Sequence, residues 1–355
     1  MARILIKNGR VWDGSKFFFA DVLINGDNIE KIKANIAEPL ELTIDATGKI
    51  VSSGLIDIHA HLLVQENDSF GTPADASCFP FGVTSVVDAG RTSGDYDVLN
   101  AFKVKNLIFV TAYIQKNHVR FDLLEEAIIR YKDKVVGIKV YFDTTQSEVI
   151  NVTPLAEICK FAKFKNLRVM VHCANSPTPL SEILEMLNEN DILTHSFHGG
   201  INNASEDDYK SIVTAQKRGV IIDTGFAGNV HTDFSIFKNA IKKGVLPNTI
   251  STDITKYSAF TRGGNYGMTM CMSMAKFMGM TEEAVFKSVT STPSKILGKS
   301  KEWGFLKEGR KADIAILEFT NEGFSLTDKN NNHIESENGY RCILTILNGQ
   351  VVYKY

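Results

Sequence analysis

The sequence predicts an α/β fold: a (β/α)8 TIM barrel carrying a small β-sandwich domain built from both termini. Three observations predict it. Between about Ser52 and Ser300, apolar strand-like runs alternate with helical stretches, about eight times over. The two ends of the chain are short-stranded instead, and neither has enough strands to close a core alone. Histidine, lysine and aspartate also recur at the ends of the middle strands, where a barrel places its active site. That recurrence decides for a barrel over a doubly wound sheet. The expected boundaries are residues 1–51 with 301–355 for the β domain and 52–300 for the barrel.

Taken in order, Arg3–Val11 reads as a strand ending at an Asn8-Gly9 turn, and Asp21–Ile29 repeats the pattern around Asn25-Gly26. The barrel strands follow as Leu55–His61, Thr84–Gly90, Leu107–Tyr113, Val135–Tyr141, Arg168–Cys173, Asp191–Phe197, Val220–Gly225 and Thr249–Asp253. Asp122–Ile129 and Leu180–Leu187 read as intervening helices, and the methionine-rich run Met268–Met280 as a core-facing helix. Ala312–Leu317 and Cys342–Tyr353 return to short strands.

Composition narrows the function classes. With 44% hydrophobic and 23% charged residues, the chain can bury a sizeable core. A formal net charge of -2 favours neither a nucleic-acid partner nor an anionic membrane. No apolar run is long enough to span a bilayer. Five cysteines, odd in number and without a CxxC pair, suit a reduced cytoplasmic protein, and no signal peptide is evident. The expected partner is a small-molecule substrate, with a homo-oligomer left open.

The chemistry centres on Leu55-Ile56-Asp57-Ile58-His59-Ala60-His61. Residues i and i+2 of a strand share a face, so His59 and His61 can grip one metal ion. A lone HxH could equally be two unrelated surface histidines. The later strand ends change that balance: Lys139 on strand 4, His172 on strand 5, His195 on strand 6 and Asp253 on strand 8. Four of the eight histidines fall at strand ends, which a random scatter over helices and loops would not give.

HAH after a GLID run, GIK on strand 4, histidines on strands 5 and 6 and STD on strand 8 resemble the amidohydrolase superfamily. GVTSVVDAG, GIKV, VMVHCANSP, DILTHSFHGG and ISTDI are similar to its dihydroorotase-like or adenine-deaminase-like branch. That branch includes esterases and deacetylases of acylated hydroxy or amino acids. The resemblance implies two divalent metal ions, usually zinc. His59, His61 and Asp253 would hold one, His172 and His195 the other, and a carboxylated Lys139 would bridge them. These are suitable zinc ligands, and a carbamate supplies the anionic oxygens that an ammonium lacks. It further implies cleavage of an ester or amide by a metal-bridging hydroxide, with Asp253 moving the proton.

Arg91 and Arg262, in the loops after strands 2 and 8, could clamp a substrate carboxylate. Tyr113, Asn175, His198 and Tyr257 are further candidate substrate contacts, each of which could instead be ordinary loop or surface residues. His118, His231 and His333 read as solvated, with His231 able to line the mouth. Asp57 and Asp88 could orient ligands or cap neighbouring backbone. Two departures from the branch stand out. Leu63 occupies the place of a dihydroorotase substrate arginine, and Gly225-Phe226-Ala227-Gly228 lacks the histidine of a Gly-His-Gly motif. The competing readings are a deaminase, a cyclic amidase and a non-catalytic scaffold.

Overall fold

A computed structural model describes residues 3–38, 40, 42–63, 70–90, 95–228, 230–260 and 266–355. Seven parallel strands form one sheet: Leu55–Ala60, Val83–Asp88, Lys105–Ala112, Val135–Tyr141, Arg168–His172, Ile192–Thr194 and Ile221–Ile222. They lie side by side in sequence order. Near-continuous burial of these Val- and Ile-rich segments is what a parallel sheet covered on both faces requires.

The expected eighth strand is not a regular ladder. Residues 249–254 are joined to the seventh strand's end by the bridge Asp223–Thr249 and to the first strand by Ala60–Ile254. Asp253 N–H donates to His59 O at 2.7 Å, and His61 N–H to Ile254 O at 3.0 Å. The segment closes the barrel on both sides, but Asp253 has φ +49°, which a continuous strand cannot contain. Helices Phe121–Arg130, Thr153–Phe164, Leu180–Met186, Lys210–Lys217 and Phe234–Lys242 return the chain between strands. The methionine-rich run forms a helix over Met268–Met278, with Met268, Met272, Met274 and Met278 buried as expected.

Strand alternation puts Met170 two positions behind His172 and Ile192 two behind Thr194, on the same face. Both belong to an apolar cluster with Phe109 and Val87, which floors the polar strand ends.

The termini build a separate sheet of eight strands around its own apolar core. Ile50–Ser53 is its pivot, pairing parallel with Arg3–Trp12 and antiparallel with Ile314–Thr320, so the two ends of the chain interlock. Asn8-Gly9 is not a turn as expected. Strand Arg3–Trp12 runs through it with a register shift between Ile6 and Gly9, a β-bulge. Asn8 sits at φ +62° with its N–H on Asp21 Oδ1, and a Cβ on Gly9 would lie 2.4 Å from Val51 Cγ2. A hairpin, Phe324–Thr327 with His333–Ser336, stands apart from that sheet, and its Phe324 and Leu326 are buried in the barrel's core cluster.

Candidate metal centre and active site

Two groups of side chains meet at the C-terminal ends of the strands. His59, His61 and Asp253 each offer one ligand atom within 4.8 Å of the others, as do His172, His195 and His231. All six are buried. His61 Nε2 and His59 Nε2 lie 2.9 Å and 3.2 Å from the same oxygen, Asp253 Oδ1. The other oxygen, Oδ2, lies 3.9 Å from both His195 Nε2 and His231 Nε2, so Asp253 links the groups. Lys139, 0% exposed, extends its Nζ to 3.1 Å from His59 Nε2.

Hydrogen bonds from behind set the tautomers of His59, His195 and His172. The Thr194 hydroxyl donates to Asp223 Oδ2 (2.8 Å), so it accepts the His59 Nδ1 proton (2.8 Å) and leaves the His59 Nε2 lone pair facing the site. Asp223 also accepts from Thr249 and Ser251. His195 Nδ1 donates to the Gly225 carbonyl at 2.7 Å, and its Nε2 is buried with no hydrogen-bond partner among the described residues. A Cβ on Gly225 would fall 2.4 Å from Thr194 Oγ1 and 2.7 Å from His195 Nδ1, so a larger residue cannot take that place. His172 Nε2 lies 3.1 Å from Asp143 Oδ2, which favours a lone pair on its Nδ1. His195 and Asp253 both hold left-handed backbone, at φ +58° and +49°. Such strain costs about 1–3 kcal/mol per residue and concentrates where side-chain direction matters.

Burial pushes the pKa values of His61, His172, His195 and His231 down, keeping these imidazoles neutral as metal binding requires. Burial alone would raise Asp253, but His59 and His61 outweigh it and hold the carboxyl well below the usual range. Burial brings Lys139 down to about 8. Among the described residues no carboxylate oxygen lies within 4.0 Å of its Nζ. A lone buried ammonium beside imidazoles is costly. An unpartnered buried His195 Nε2, three neutral imidazoles and a carboxylate fit a divalent metal ion.

Of the other expected contacts, Asn175 and His198 belong to this neighbourhood. Asn175 Nδ2 donates to Asp143 Oδ2 at 3.3 Å. His198 is fully buried, pushed down to about 3 by burial first and then by nearby His172, and its Nε2 has no hydrogen-bond partner among the described residues. Tyr113 is half-buried after the third strand, and Tyr257 is 55% exposed on the short helix Lys256–Phe260. Arg91 and Arg262 lie outside the described residues. Asp57 and Asp88 hold backbone rather than imidazole. Asp57 accepts from the His59 and Thr252 amides, and Asp88 from those of Leu62 and Gly90.

His231 departs from its expected solvation. It is 9% exposed, with its ring centroid 4.2 Å from that of His195. Its place on the loop after strand 7 made the mouth an alternative, but a polar loop sequence does not show its burial against His195 and His172. Thr194, Asp143 and Asp223 were likewise silent, although Thr194 directly precedes His195.

A barrel whose strand ends gather imidazoles and a carboxylate around a metal-fitting centre defines a class, the barrel hydrolases that work through divalent metal. The chain belongs to the amidohydrolase family, whose sequence profile matches residues 50–352. It is 30% identical to a deacetylase of Enterococcus faecalis, across 98% of each chain. Among solved structures it superimposes on an adenine deaminase with a TM-score of 0.86 and 26% identity, over 100% of both chains. With a dihydroorotase the TM-score is 0.87 at 22% identity, over 99% of this chain and 97% of the other.

Proposed function

We propose that this enzyme is a binuclear zinc hydrolase that removes an acyl group from amino or hydroxy acids, a deacetylase or esterase. The observation that carries it is the convergence of two ligand groups on one carboxylate, Asp253, with Lys139 buried beside them. His59, His61 and Asp253 would hold one ion and His172 and His195 the other, with His231 within reach of the second. Lys139, once carboxylated, would bridge the two. Its fully buried amine titrates near 8, so a neutral fraction is available to add CO2. Likeness to the Enterococcus deacetylase over nearly the whole chain supports the acyl-cleaving chemistry.

When bound, such ions lower the pKa of a water and polarise a carbonyl. The chain's own residues do the rest. Asp253, ionised and in reach of both groups, takes the proton of the attacking water and delivers it to the leaving amine or alkoxide. Thr194 and Gly225 keep His59 and His195 turned with their Nε2 atoms inward. His198 Nε2 and His231 Nδ1, buried and without a hydrogen-bond partner among the described residues, would hold substrate oxygen. Five free, buried cysteines fit a cytoplasmic enzyme.

The test is hydrolysis by zinc-loaded protein of N-acetyl D- and L-amino acids, O-acetyl hydroxy acids, dihydroorotate, hydantoins and adenine. Turnover confined to the acylated acids is expected. Ammonia release from adenine, or ring opening alone, would overturn the acyl-cleaving reading in favour of a deaminase or cyclic amidase.

A further inference from the structure

The hairpin Phe324–Thr327/His333–Ser336 comes from the C-terminal part of the chain, yet its connecting turn is fastened to the barrel loop that carries His231. Asp328, 1% exposed, accepts from the Phe234 amide at the start of the helix that follows that loop (3.0 Å) and from the Asn330 and Asn332 amides of the turn (2.9 Å and 2.8 Å). Asn330 Nδ2 donates to Asp233 Oδ2 at 2.7 Å, and Lys329 N–H to Thr232 O at 3.1 Å. A carboxylate is costly to bury, and this one is satisfied mainly by backbone donors that fix the turn. Turn and loop therefore behave as one unit.

Lys329 is the residue this arrangement positions. Its Nζ lies 3.4 Å from Asn175 Oδ1, and Asn175 in turn donates to Asp143, the partner of His172. An ammonium carries three donors, and an amide oxygen uses at most one without neutralising the charge. Among the described residues no carboxylate oxygen lies within 4.0 Å of Lys329. A half-buried ammonium thus stands one side chain away from Asp143 and its partner His172, beside the reaction centre.

We propose that Lys329 and Asn175 form the subsite for a carboxylate of the substrate, so that the hairpin selects acylated acids over their neutral amides. This rests on the acyl-hydrolase reading of the same centre. The ammonium and the Asn175 side-chain amide can together grip one carboxylate, while the acyl carbonyl lies toward Asp253.

The test compares N-acetylglycine with N-acetylglycinamide, and O-acetylglycolate with its amide, in zinc-loaded wild type, Lys329→Met and Lys329→Arg. Binding of each compound is measured by calorimetry alongside turnover. Lys329→Met should lower the acid-over-amide ratio in kcat/KM and in affinity by about ten- to a hundredfold, leaving the amides little changed. Lys329→Arg should restore most of it. A merely structural lysine would depress acid and amide together, and that result overturns the proposal. So does a wild type that binds acid and amide equally. Acid-selective binding without hydrolysis, lost in Lys329→Met, would uphold the subsite and count against the hydrolase reading alone.

Discussion

At the scale of single residues, the candidate centre depends on groups that would never touch a substrate. Thr194 passes the pull of Asp223 to His59 through two 2.8 Å hydrogen bonds. Thr194→Val keeps the side chain's shape and removes the acceptor for the His59 Nδ1 proton. Partners of this kind are commonly worth ten- to a hundredfold in metal affinity, and a loss of roughly that size is expected in zinc titrations of the variant. Unchanged zinc affinity would mean that backbone packing alone orients His59. The candidate residues His59, Lys139 and His172 were legible in the sequence because each sits in the last positions of an apolar strand, where alternation fixes its direction, whereas His195 and Asp253 are turned by left-handed backbone. Lys329 was not legible, and of His231 only a place near the mouth was. Both lie in polar loops: His231 is buried against His172 and His195, and Lys329 is placed by Thr232 and Asn175, contacts between distant segments that local pattern does not carry.

At the scale of elements, the first five barrel strands were the easiest to read, because long buried apolar runs leave little freedom. The eighth is not the regular strand expected from the sequence. Its Asp253 sits in left-handed backbone so that the carboxylate turns inward, and the ladder gives way to isolated bridges. The Asn8-Gly9 bulge departs from the expected turn for the opposite reason: turn-forming residues relieve contact with Val51 inside a continuous strand. The hairpin 324–336 is the element with the most to test. Asp328→Ala leaves the Phe234, Asn330 and Asn332 amides without their acceptor. A stability loss of about 1–3 kcal/mol is expected from the urea midpoint. Acid-over-amide selectivity should fall with it, as in Lys329→Met. A variant with wild-type stability and selectivity would show that the hairpin does not depend on this carboxylate.

At the scale of the whole molecule, the termini are part of the barrel's support rather than an appendage. Ile50–Ser53 joins the two ends in one sheet, and Trp12 Nε1 donates to Thr290 Oγ1 at 3.0 Å in a buried contact between that sheet and the barrel. The sequence could reveal that two short-stranded ends belong together, since neither closes a core alone. It could not reveal that the C-terminal part would also send a hairpin across to the active-site mouth. No helix among the described residues is long and apolar enough to cross a membrane. All of this architecture converges on a centre proposed to hold two metal ions through a modified Lys139. The most direct test is the metal content per chain of zinc-reconstituted wild type and Lys139→Ala, measured by mass spectrometry of the elements together with hydrolysis of the acylated acids. Two ions per wild-type chain are predicted, with metal and activity lost together in Lys139→Ala and partly restored by added short carboxylic acids. Full metal content and full activity in Lys139→Ala would contradict the account.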